Sequence, residues 1–549
     1  MAQKPVHRES IRAGEDARHI AAIVINSVSH DARVLKEADG LAAAGYRVTI
    51  YGIQDAKVSE PVTVRPSGVV IRRAEWKSGV AIARGRIYFA LAILIALVAV
   101  GELLLVITGR AGAPYFGYAF VLLAMPLTLL LARRVWDRGV AIQKSALQAP
   151  IRPAPAAAMV EPKPSATAIG SGQKTSAPNA PNSPSVTARS AKKPARRDNW
   201  LDRRLAPWRS RHAARLRRRA LLQLVLADRP DAVHAHDLQA VPIALAVKRA
   251  IGCPLIFDSH ELHDDLSLIS EAERERSRRK HRSFAPHIDG LVTVNESIGR
   301  TLRERYPALP EPVIVRNATR YTGERMLDDG RLHRAAGLVR STRILLYQGG
   351  FARHRGLDVL VRAAPLLPEG WALVMMGWGN FEPELRRIAA EVDPAGERVR
   401  FVPGAPQEEL GQWTAGGSLG VIPYENVCLN HWFCTPNKIW EYPVAGVPIL
   451  ASPFPELAKA VEENGIGLLL ADPVTPANIA AVVASVGDDD LERMRERCGA
   501  FLARDNWSIY ERRLIELYAR VLGGASRSAA TGPTAAPSIP MSVAASADR

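Results

Sequence analysis

Two segments in the C-terminal half of the chain carry residues that could bind a phosphate group. In the first, the apolar run 344–348 leads into Gly349 and Gly350, and Arg355 follows just before a predicted helix. Glycines allow a ligand to approach the backbone closely, and a helix start and an arginine offer positive charge to a phosphate. The same pattern also fits an ordinary tight turn with solvated arginines.

The second segment is Thr435-Pro436-Asn437-Lys438-Ile439-Trp440-Glu441, which follows the apolar strand-like run SLGVIPY. A lysine at the start of a helix is electrostatically unfavourable unless an anion is bound there. Glu441, one turn deeper, suits hydroxyl groups such as those of a ribose. Lys438 and Glu441 are also spaced as a surface ion pair at positions i and i+3 would be.

Polar side chains also follow two apolar strand-like runs in the N-terminal half, where His236 and Asp237 end one run and His260 and Glu261 the other. Their spacing matches no standard set of metal ligands, so no metal site is predicted. We expect these groups to line a cleft and to face an acceptor.

These residues are positioned by apolar strands that alternate with helices, the pattern of parallel sheets covered on both faces. The sequence predicts an α/β fold of two Rossmann-like domains, with a two-helix transmembrane hairpin and a disordered linker inserted in the first. The predicted boundaries are 15–74 and 206–320 for the split N-terminal domain, 84–138 for the hairpin, 146–204 for the linker, 321–502 for the C-terminal domain, 503–523 for a last helix and 524–549 for a disordered tail.

The predicted hairpin comes from two long apolar runs. Ile87–Thr108 contains one charged residue, Glu102, and the run 114–132 contains none. A helix of about 20 apolar residues covers the hydrocarbon core of a bilayer. Arginines that flank the outer ends of the two runs predict that both ends of the hairpin face the cytoplasm and that the connecting loop faces outwards. A buried helical hairpin of a globular domain is the alternative.

The whole chain is basic, with a formal net charge of +17 over 549 residues, which favours an anionic partner. Ten arginines lie within 196–219, next to the Pro/Ala-rich linker. Beside a predicted membrane span, such a segment favours anionic lipid headgroups over nucleic acid as partner. The expected localisation is therefore the cytoplasmic face of the cytoplasmic membrane.

Taken together, these motifs resemble retaining nucleotide-sugar glycosyltransferases of the two-domain GT-B type, specifically glycosyltransferase family 4. The segments that carry the resemblance are YQGGFARHRGLDVLVRAAPLL, LVMMGWGN, VRFVPGAPQEEL and TPNKIWEYPVAGVPILAS in the second domain, and SHDARVLKEADGLAAAGYRVTIYG, HAHD and FDSHEL in the first.

The resemblance implies roles for individual residues. Arg355 and Lys438 would neutralise the donor diphosphate, Glu441 would bind the nucleotide ribose, and His260 would contact the transferred sugar. The implied catalytic residues are Arg355, Lys438 and His260, and the implied donor-binding residues are Gly349, Gly350, Arg355, Gly377, Gly379, Val402, Asn437, Lys438 and Glu441. The acceptor side would include His236, Asp237 and Glu261. No cofactor or metal is expected besides the nucleotide sugar.

The chain departs from the family pattern at Phe433, where a glutamate that contacts the donor sugar often stands. Glu425 is a possible replacement. The resemblance implies transfer of a sugar, with retention, to a lipid-linked or saccharide acceptor in polysaccharide or glycolipid synthesis. A nucleotide-sugar epimerase of the same architecture, and a non-catalytic basic scaffold that binds membranes or nucleic acid, are the alternatives.

Overall fold

The computed structural model describes residues 17–75 and 200–529, except residues 30, 56, 57, 59 and 325, and within the second range it describes side chains for residues 210–523. The chain forms two compact units, one of residues 1–74 and 220–549 and the other of residues 75–219. All of the described strands belong to the first unit.

The first sheet has eight strands in the order β3-β4-β2-β1-β5-β6-β7-β8. They are β1 (His19–Ile23), β2 (Arg47–Ile53), β3 (Val62–Val64), β4 (Val70–Ala74), β5 (Ala232–His236), β6 (Leu255–Ser259), β7 (Gly290–Thr293) and β8 (Pro312–Ile314). Only β3 and β4 pair antiparallel. Every residue of β1, β5, β6 and β7 is buried, as expected for parallel strands with helices on both faces.

The helices that accompany this sheet in the chain are α1 (Ala32–Ala43), α2 (Trp200–Asp228), α3 (Asp237–Ile251), α4 (Glu271–Phe284) and α5 (Glu296–Arg305). Helix α1 begins at an Asp31 N-cap, whose side chain accepts a hydrogen bond from the Val34 amide. Its apolar stripe, which includes Val34, Ala38 and Leu41, is buried. We call this sheet with α1 and α3–α5 the N-terminal lobe.

The second sheet has six parallel strands in the order β11-β10-β9-β12-β13-β14. They are β9 (Arg343–Gly350), β10 (Trp371–Trp378), β11 (Val399–Pro403), β12 (Leu419–Ile422), β13 (Ile449–Ala451) and β14 (Gly467–Leu469). The helices are α6 (Arg331–Ala336), α7 (Leu357–Ala363), α8 (Glu382–Val392), α9 (Leu410–Thr414), α10 (Leu429–Trp432), α11 (Lys438–Val444), α12 (Pro455–Val461), α13 (Pro476–Ala484) and α14 (Asp488–Arg504). We call this part the C-terminal lobe.

Both sheets have a point at which the strand order reverses. In the first sheet β1 lies between β2 and β5, and in the second β9 lies between β10 and β12. Open parallel sheets bind ligands beyond the carboxyl ends of their strands at such points. The loops after β1, β5, β9 and β12 are therefore where a site is expected.

The last helix, α15 (Trp507–Ala529), returns from the C-terminal lobe to the N-terminal lobe. It packs against α1 and β8. The Tyr518 hydroxyl lies 2.8 Å from Nδ1 of the buried His234, and Leu517 packs at Gly290. The end of the chain thereby ties the two lobes together.

The predicted fold class needs a correction. The α/β architecture of two Rossmann-like sheets is present, but none of the helices in the described part of the chain is long and apolar enough to cross a bilayer. The two longest, α2 and α15, carry arginines along their length. The transmembrane hairpin was therefore wrong as part of the predicted fold class. Residues 84–138, on which it was predicted, lie outside the described residues. The described residues give no support to the predicted membrane localisation and lipid partners.

Two other predicted boundaries meet described residues. Helix α2 begins at Trp200, so residues 200–204 of the predicted linker are helical. Helix α15 ends at Ala529, so the first six residues of the predicted tail, 524–529, are helical too. The remainders of the linker and the tail lie outside the described residues.

Candidate functional site

The loop after β9 brings Arg355 back over the end of its own strand. The Arg355 guanidinium donates a hydrogen bond from Nη1 to the Gly350 carbonyl oxygen at 3.0 Å. Gly349 has a φ of 118°, and a Cβ placed there would lie 3.2 Å from the Lys438 ammonium nitrogen. Gly349 therefore adopts a backbone conformation that other residues rarely adopt, and its lack of a side chain leaves room for Lys438 beside the backbone.

Lys438 is the first residue of α11 and is buried, with 6% of its surface exposed. Its Nζ lies 3.3 Å from the Tyr424 hydroxyl and 5.0 Å from the ring centroid of Tyr347. Lys438 Nζ and Arg355 Cζ lie 5.6 and 5.7 Å from the ring centroid of Tyr424. The structure thus brings Arg355 and Lys438, hereafter the cation pair, to one tyrosine.

The cation pair has no carboxylate partner in the part of the chain that the structure describes. Among the described residues, no aspartate or glutamate oxygen lies within 4.0 Å of a side-chain nitrogen of Arg355 or Lys438, whereas the buried Arg33 and Arg316 form ion pairs. Contacts with tyrosine faces offset only part of the cost of burying a charge. Such an arrangement is suited to an incoming anion.

Glu441 lies one turn after Lys438 and is held in place by a hydrogen-bond relay. Its Oε2 accepts from Gln348 Nε2 at 3.0 Å, and Gln348 Oε1 accepts from the Thr414 hydroxyl at 2.7 Å. Gln348 was missed from the sequence, although its position at the end of β9, just before the two glycines, was a usable signal. The relay fixes the Glu441 carboxylate near the cation pair without neutralising it.

The other predicted glycines hold three loops side by side. A Cβ at Gly377 would lie 1.9 Å from the Gly349 carbonyl oxygen, and one at Gly379 would lie 2.1 Å from that of Phe351. Val402 is 3% exposed, so its side chain is not available to a ligand. These contacts place the loops after β9, β10 and β11 next to each other.

Trp378, between the two glycines of the β10 loop, is an exposed aromatic residue that sequence reasoning passed over. It is 64% exposed, and its ring packs on Gly404, where a Cβ would come within 2.2 Å of the indole. An exposed tryptophan at the carboxyl end of a sheet offers a flat apolar face to a ligand.

In the N-terminal lobe, His260 lies between two aspartates. Its Nε2 is 3.0 Å from an Asp258 oxygen and its Nδ1 is 3.3 Å from an Asp237 oxygen. An ionised carboxylate accepts hydrogen bonds but cannot donate them. Both ring nitrogens of His260 therefore carry protons. Burial lowers the pKa of His260, but the carboxylates of Asp258 and Asp237 outweigh burial and raise this pKa to about 10.

Asp258 is in turn bound by Arg33, a residue that was not singled out from the sequence. Arg33 Nη2 lies 3.0 Å from Asp258 and Nε lies 3.0 Å from Glu37, while Nη1 donates to the Val315 carbonyl oxygen. We call Arg33, Glu37, Asp237, Asp258 and His260 the N-terminal polar network. In contrast to the cation pair, its charges are paired with one another.

His236 belongs to a buried group with Glu37, His234 and Asp258 whose possible ligand atoms lie within 4.8 Å of one another. Since the Arg33 guanidinium already lies against both carboxylates, a metal ion there would have to compete with a fixed positive charge. The geometry therefore fits an ion-paired network better than a metal centre. His236 itself is 4% exposed.

A cleft of about 760 Å³ runs between the lobes within the first unit. The predicted residues His260, Glu261, Arg355 and Asn437 line it, and Asn437 also accepts a hydrogen bond from Asn317 of the facing lobe at 2.9 Å. Its other lining residues are Asn26, Ser27, Val28, Ser29, Asp31, Ala32, Arg33, Asp55, Val294, Ile298, Asn317, Tyr424, Asn430, His431, Cys434, Thr435 and Pro436. His236 and Asp237 are not among the residues that line this cleft.

Comparisons with known proteins agree with this geometry. Residues 342–489 match the family model for glycosyl transferases group 1, and residues 174–318 match the model for a glycosyl transferase 4-like domain. The D-inositol 3-phosphate glycosyltransferase of Thermobispora bispora is 28% identical over 323 residues, which are 55% of this chain and 74% of that protein. The enzyme of the same name from Thermomonospora curvata is 28% identical over 321 residues, 52% of this chain and 71% of that protein.

Among solved structures, sucrose-phosphate synthase from Thermosynechococcus elongatus superposes with a TM-score of 0.57 at 15% identity, covering 92% of this chain and 100% of that one. This likeness concerns the fold. The two facing Rossmann-like lobes are those of a GT-B fold.

The family models and the relatives identify the activity. The chain is a nucleotide-sugar-dependent glycosyltransferase of the GT-B type and resembles glycosyltransferase family 4.

Proposed function

We propose that the cation pair binds the diphosphate of the nucleotide sugar and stabilises the nucleoside diphosphate as it leaves. The observation that carries this proposal is the placement of the buried Lys438 and the half-buried Arg355 around Tyr424, without a carboxylate partner in the described part of the chain. Preorganised charges directed at a developing anion are commonly the largest single contribution to catalysis.

The rest of the donor is assigned to the neighbouring loops. Glu441, held by Gln348, accepts hydrogen bonds from the ribose hydroxyls. The nucleobase lies along the loops after β10 and β11, where glycines leave room and Trp378 offers its exposed face. The sugar then extends from the diphosphate into the cleft.

The reaction breaks the bond between the anomeric carbon and the phosphate oxygen, and the bonding electrons leave with the nucleoside diphosphate. An acceptor hydroxyl forms the new bond to the same carbon and passes its proton to the departing phosphate oxygen. We propose that the hydroxyl attacks from the face that the phosphate leaves, which retains the anomeric configuration. His260 of the N-terminal lobe is held as an imidazolium by two aspartates. When the substrate replaces one of these aspartates as its partner, His260 donates a hydrogen bond to the sugar or to the acceptor.

The acceptor is assigned to the half of the cleft lined by the N-terminal lobe. Hydroxyl and amide side chains, including Asn26, Ser27, Ser29 and Asn317, line this half. They suit a polyhydroxylated acceptor, and the names of the relatives make D-inositol 3-phosphate the first compound to test. A role in polysaccharide or glycolipid synthesis stays a prediction.

The test begins with thermal shift of the full-length protein in the presence of UDP, GDP, UDP-glucose, UDP-N-acetylglucosamine and GDP-mannose. A ligand that binds only the folded state raises the melting temperature. The sugar nucleotide that binds is then incubated with D-inositol 3-phosphate or with an oligosaccharide, with EDTA present in a parallel sample, and the anomeric configuration of the product is read by NMR.

We expect acceptor-dependent release of nucleoside diphosphate, retention in the product, and activity within twofold in EDTA, because two protein cations provide the charge. Release of free sugar or of an epimerised sugar without acceptor contradicts the transfer proposal. An inverted product contradicts the proposed stereochemistry.

A further inference from the structure

His431 lies in the cleft with one ring nitrogen fixed and the other free. It belongs to the short helix α10 and is half-buried, and its Nδ1 lies 3.3 Å from the Glu425 carbonyl oxygen. A carbonyl oxygen only accepts hydrogen bonds, so Nδ1 carries the proton. In the neutral ring Nε2 is then an acceptor, and it makes no hydrogen bond with any described residue.

The surroundings keep this ring neutral. Burial lowers the pKa of His431 and outweighs the hydrogen bond to the Glu425 carbonyl oxygen, which raises this pKa; the positive charge of Arg355 lowers it further. The side chain is therefore a hydrogen-bond acceptor without a negative charge, which differs from a carboxylate in the same cleft.

His431 is also near the proposed diphosphate position. Its ring centroid lies 6.2 Å from that of Tyr424, the same ring around which Arg355 and Lys438 are placed at 5.7 and 5.6 Å. A sugar joined to a phosphate at the cation pair would reach the cleft within a few ångströms of this imidazole.

Two other residues of this segment, which were candidates from the sequence for contact with the sugar, do not offer a free polar side chain there. Phe433 has no polar side chain, and its carbonyl oxygen accepts from Asn295 at 2.6 Å. The Glu425 carboxylate lies 3.1 Å from Nδ1 of His354, and Glu425 is not among the residues that line the cleft. Glu425, suggested from the sequence as a replacement for the family glutamate, is therefore not directed at the sugar.

We propose that His431 is a specificity-determining residue for the donor, with its unprotonated Nε2 accepting a hydrogen bond from a hydroxyl of the transferred sugar. This inference rests on the proposed donor site. The expected contribution is that of one neutral hydrogen bond, which corresponds to an affinity difference of about five- to tenfold.

The test compares nucleotides with and without the sugar, in the absence of acceptor. Isothermal titration of the full-length protein measures Kd for UDP, UDP-glucose, GDP and GDP-mannose with wild type, His431→Ala and His431→Gln. His287→Ala, which removes an exposed histidine outside the cleft, is the matched control.

We expect His431→Ala to bind the nucleoside diphosphate within twofold of wild type and to bind its sugar ester five- to tenfold more weakly. His431→Gln retains an acceptor oxygen and should recover the sugar affinity to within about threefold, and His287→Ala should match wild type. If the alanine variant does not fold, His431→Leu replaces it.

Equal weakening of the nucleoside diphosphate and its sugar ester would overturn the proposal, since it indicates a disturbed loop. So would unchanged affinity for the sugar ester in His431→Ala. Failure of the wild type to bind any of the four nucleotides refutes the proposed donor site itself, and the two failures are thereby distinguished.

Discussion

Both lobes place cations at the carboxyl edge of a parallel sheet, but the two lobes differ in whether carboxylates pair with these cations. In the N-terminal polar network, Arg33 is paired with Asp258 and Glu37, and His260 is paired with Asp258 and Asp237. In the C-terminal lobe, the cation pair contacts tyrosine rings, a backbone carbonyl oxygen and a tyrosine hydroxyl, and no carboxylate among the described residues pairs with it. A paired network stabilises the fold and presents polar groups to hydroxyls, whereas cations without a carboxylate partner among the described residues keep their charge available for an anionic ligand.

The largest expected effect is functional. In Lys438→Met the chain retains an apolar side chain of similar length but loses one charge of the pair. Removal of a preorganised charge-stabilising group typically lowers turnover by about 10²–10³-fold, and we expect a loss of this size in a nucleoside diphosphate release assay.

The same variant should not be less stable than wild type, because a buried ammonium without a carboxylate partner costs desolvation energy. Urea unfolding without ligand checks this point. A variant that keeps its turnover, or that loses several kcal/mol of stability, would show that Lys438 has a structural role instead.

The complementary change in the N-terminal lobe is Asp258→Asn. It leaves Arg33 and His260 buried beside a neutral amide, and breaking a buried ion pair in this way costs about 3–5 kcal/mol. Urea unfolding should show this loss, while the folded variant should bind the nucleoside diphosphate with wild-type affinity. Unchanged stability would contradict the view that this network stabilises the fold.

The pH dependence of stability sharpens the comparison further. Despite burial, Asp258 and Asp237 raise the pKa of His260 to about 10, above the value of about 6.5 in an unfolded chain. The stabilisation from its charge is therefore complete below about pH 6.5 and is lost as the pH rises towards 10.

Relative to His260→Gln, wild type should thus lose stability between these pH values, by at most about 1.4 kcal/mol per pH unit. Chemical unfolding of both proteins at pH 6, 7, 8 and 9 gives the difference. Parallel stability curves over this range would mean that His260 is not held as an imidazolium.

The smallest expected effect concerns Trp378, which contacts the base rather than the diphosphate in our account. Trp378→Ala should weaken nucleoside diphosphate binding by about three- to tenfold, the range expected for loss of an aromatic contact. Binding of inorganic pyrophosphate should be unchanged, and Trp378→Phe should be intermediate. Equal weakening of both ligands would place Trp378 in the anion site.

Short-range spacing in the sequence points to the candidate residues of the C-terminal lobe more directly than to those of the N-terminal lobe, for a physical reason. Arg355 and Lys438 lie within a few residues of glycines or of a helix start, so short-range spacing revealed them. Arg33 and Asp258 are 225 residues apart and meet because the strand order β1-β5-β6 brings β6, which contains Asp258, close to the helix that follows β1. No local pattern specifies such a pair.

Local sequence patterns also did not predict the side chains that surround the cation pair. Tyr424 and Lys438 lie 14 residues apart in the connection between β12 and β13, and the fold of this connection brings them together. Gln348 of β9 reaches Glu441 because β9 lies beside β12 in the sheet. Alternation of apolar and polar segments predicts that strands exist, but the order of the strands decides which side chains meet. The hairpin prediction was wrong as part of the fold class, since none of the helices in the described residues is long and apolar enough to cross a bilayer.

The most direct test of the central claim is a calorimetric titration of UDP, GDP and the corresponding nucleosides into wild type and the double variant Arg355→Met/Lys438→Met. Our account predicts that a diphosphate binds to wild type far more tightly than its nucleoside, and that this advantage disappears in the folded double variant. A double variant that binds the diphosphate as tightly as wild type would contradict the assignment of the cation pair as the diphosphate site.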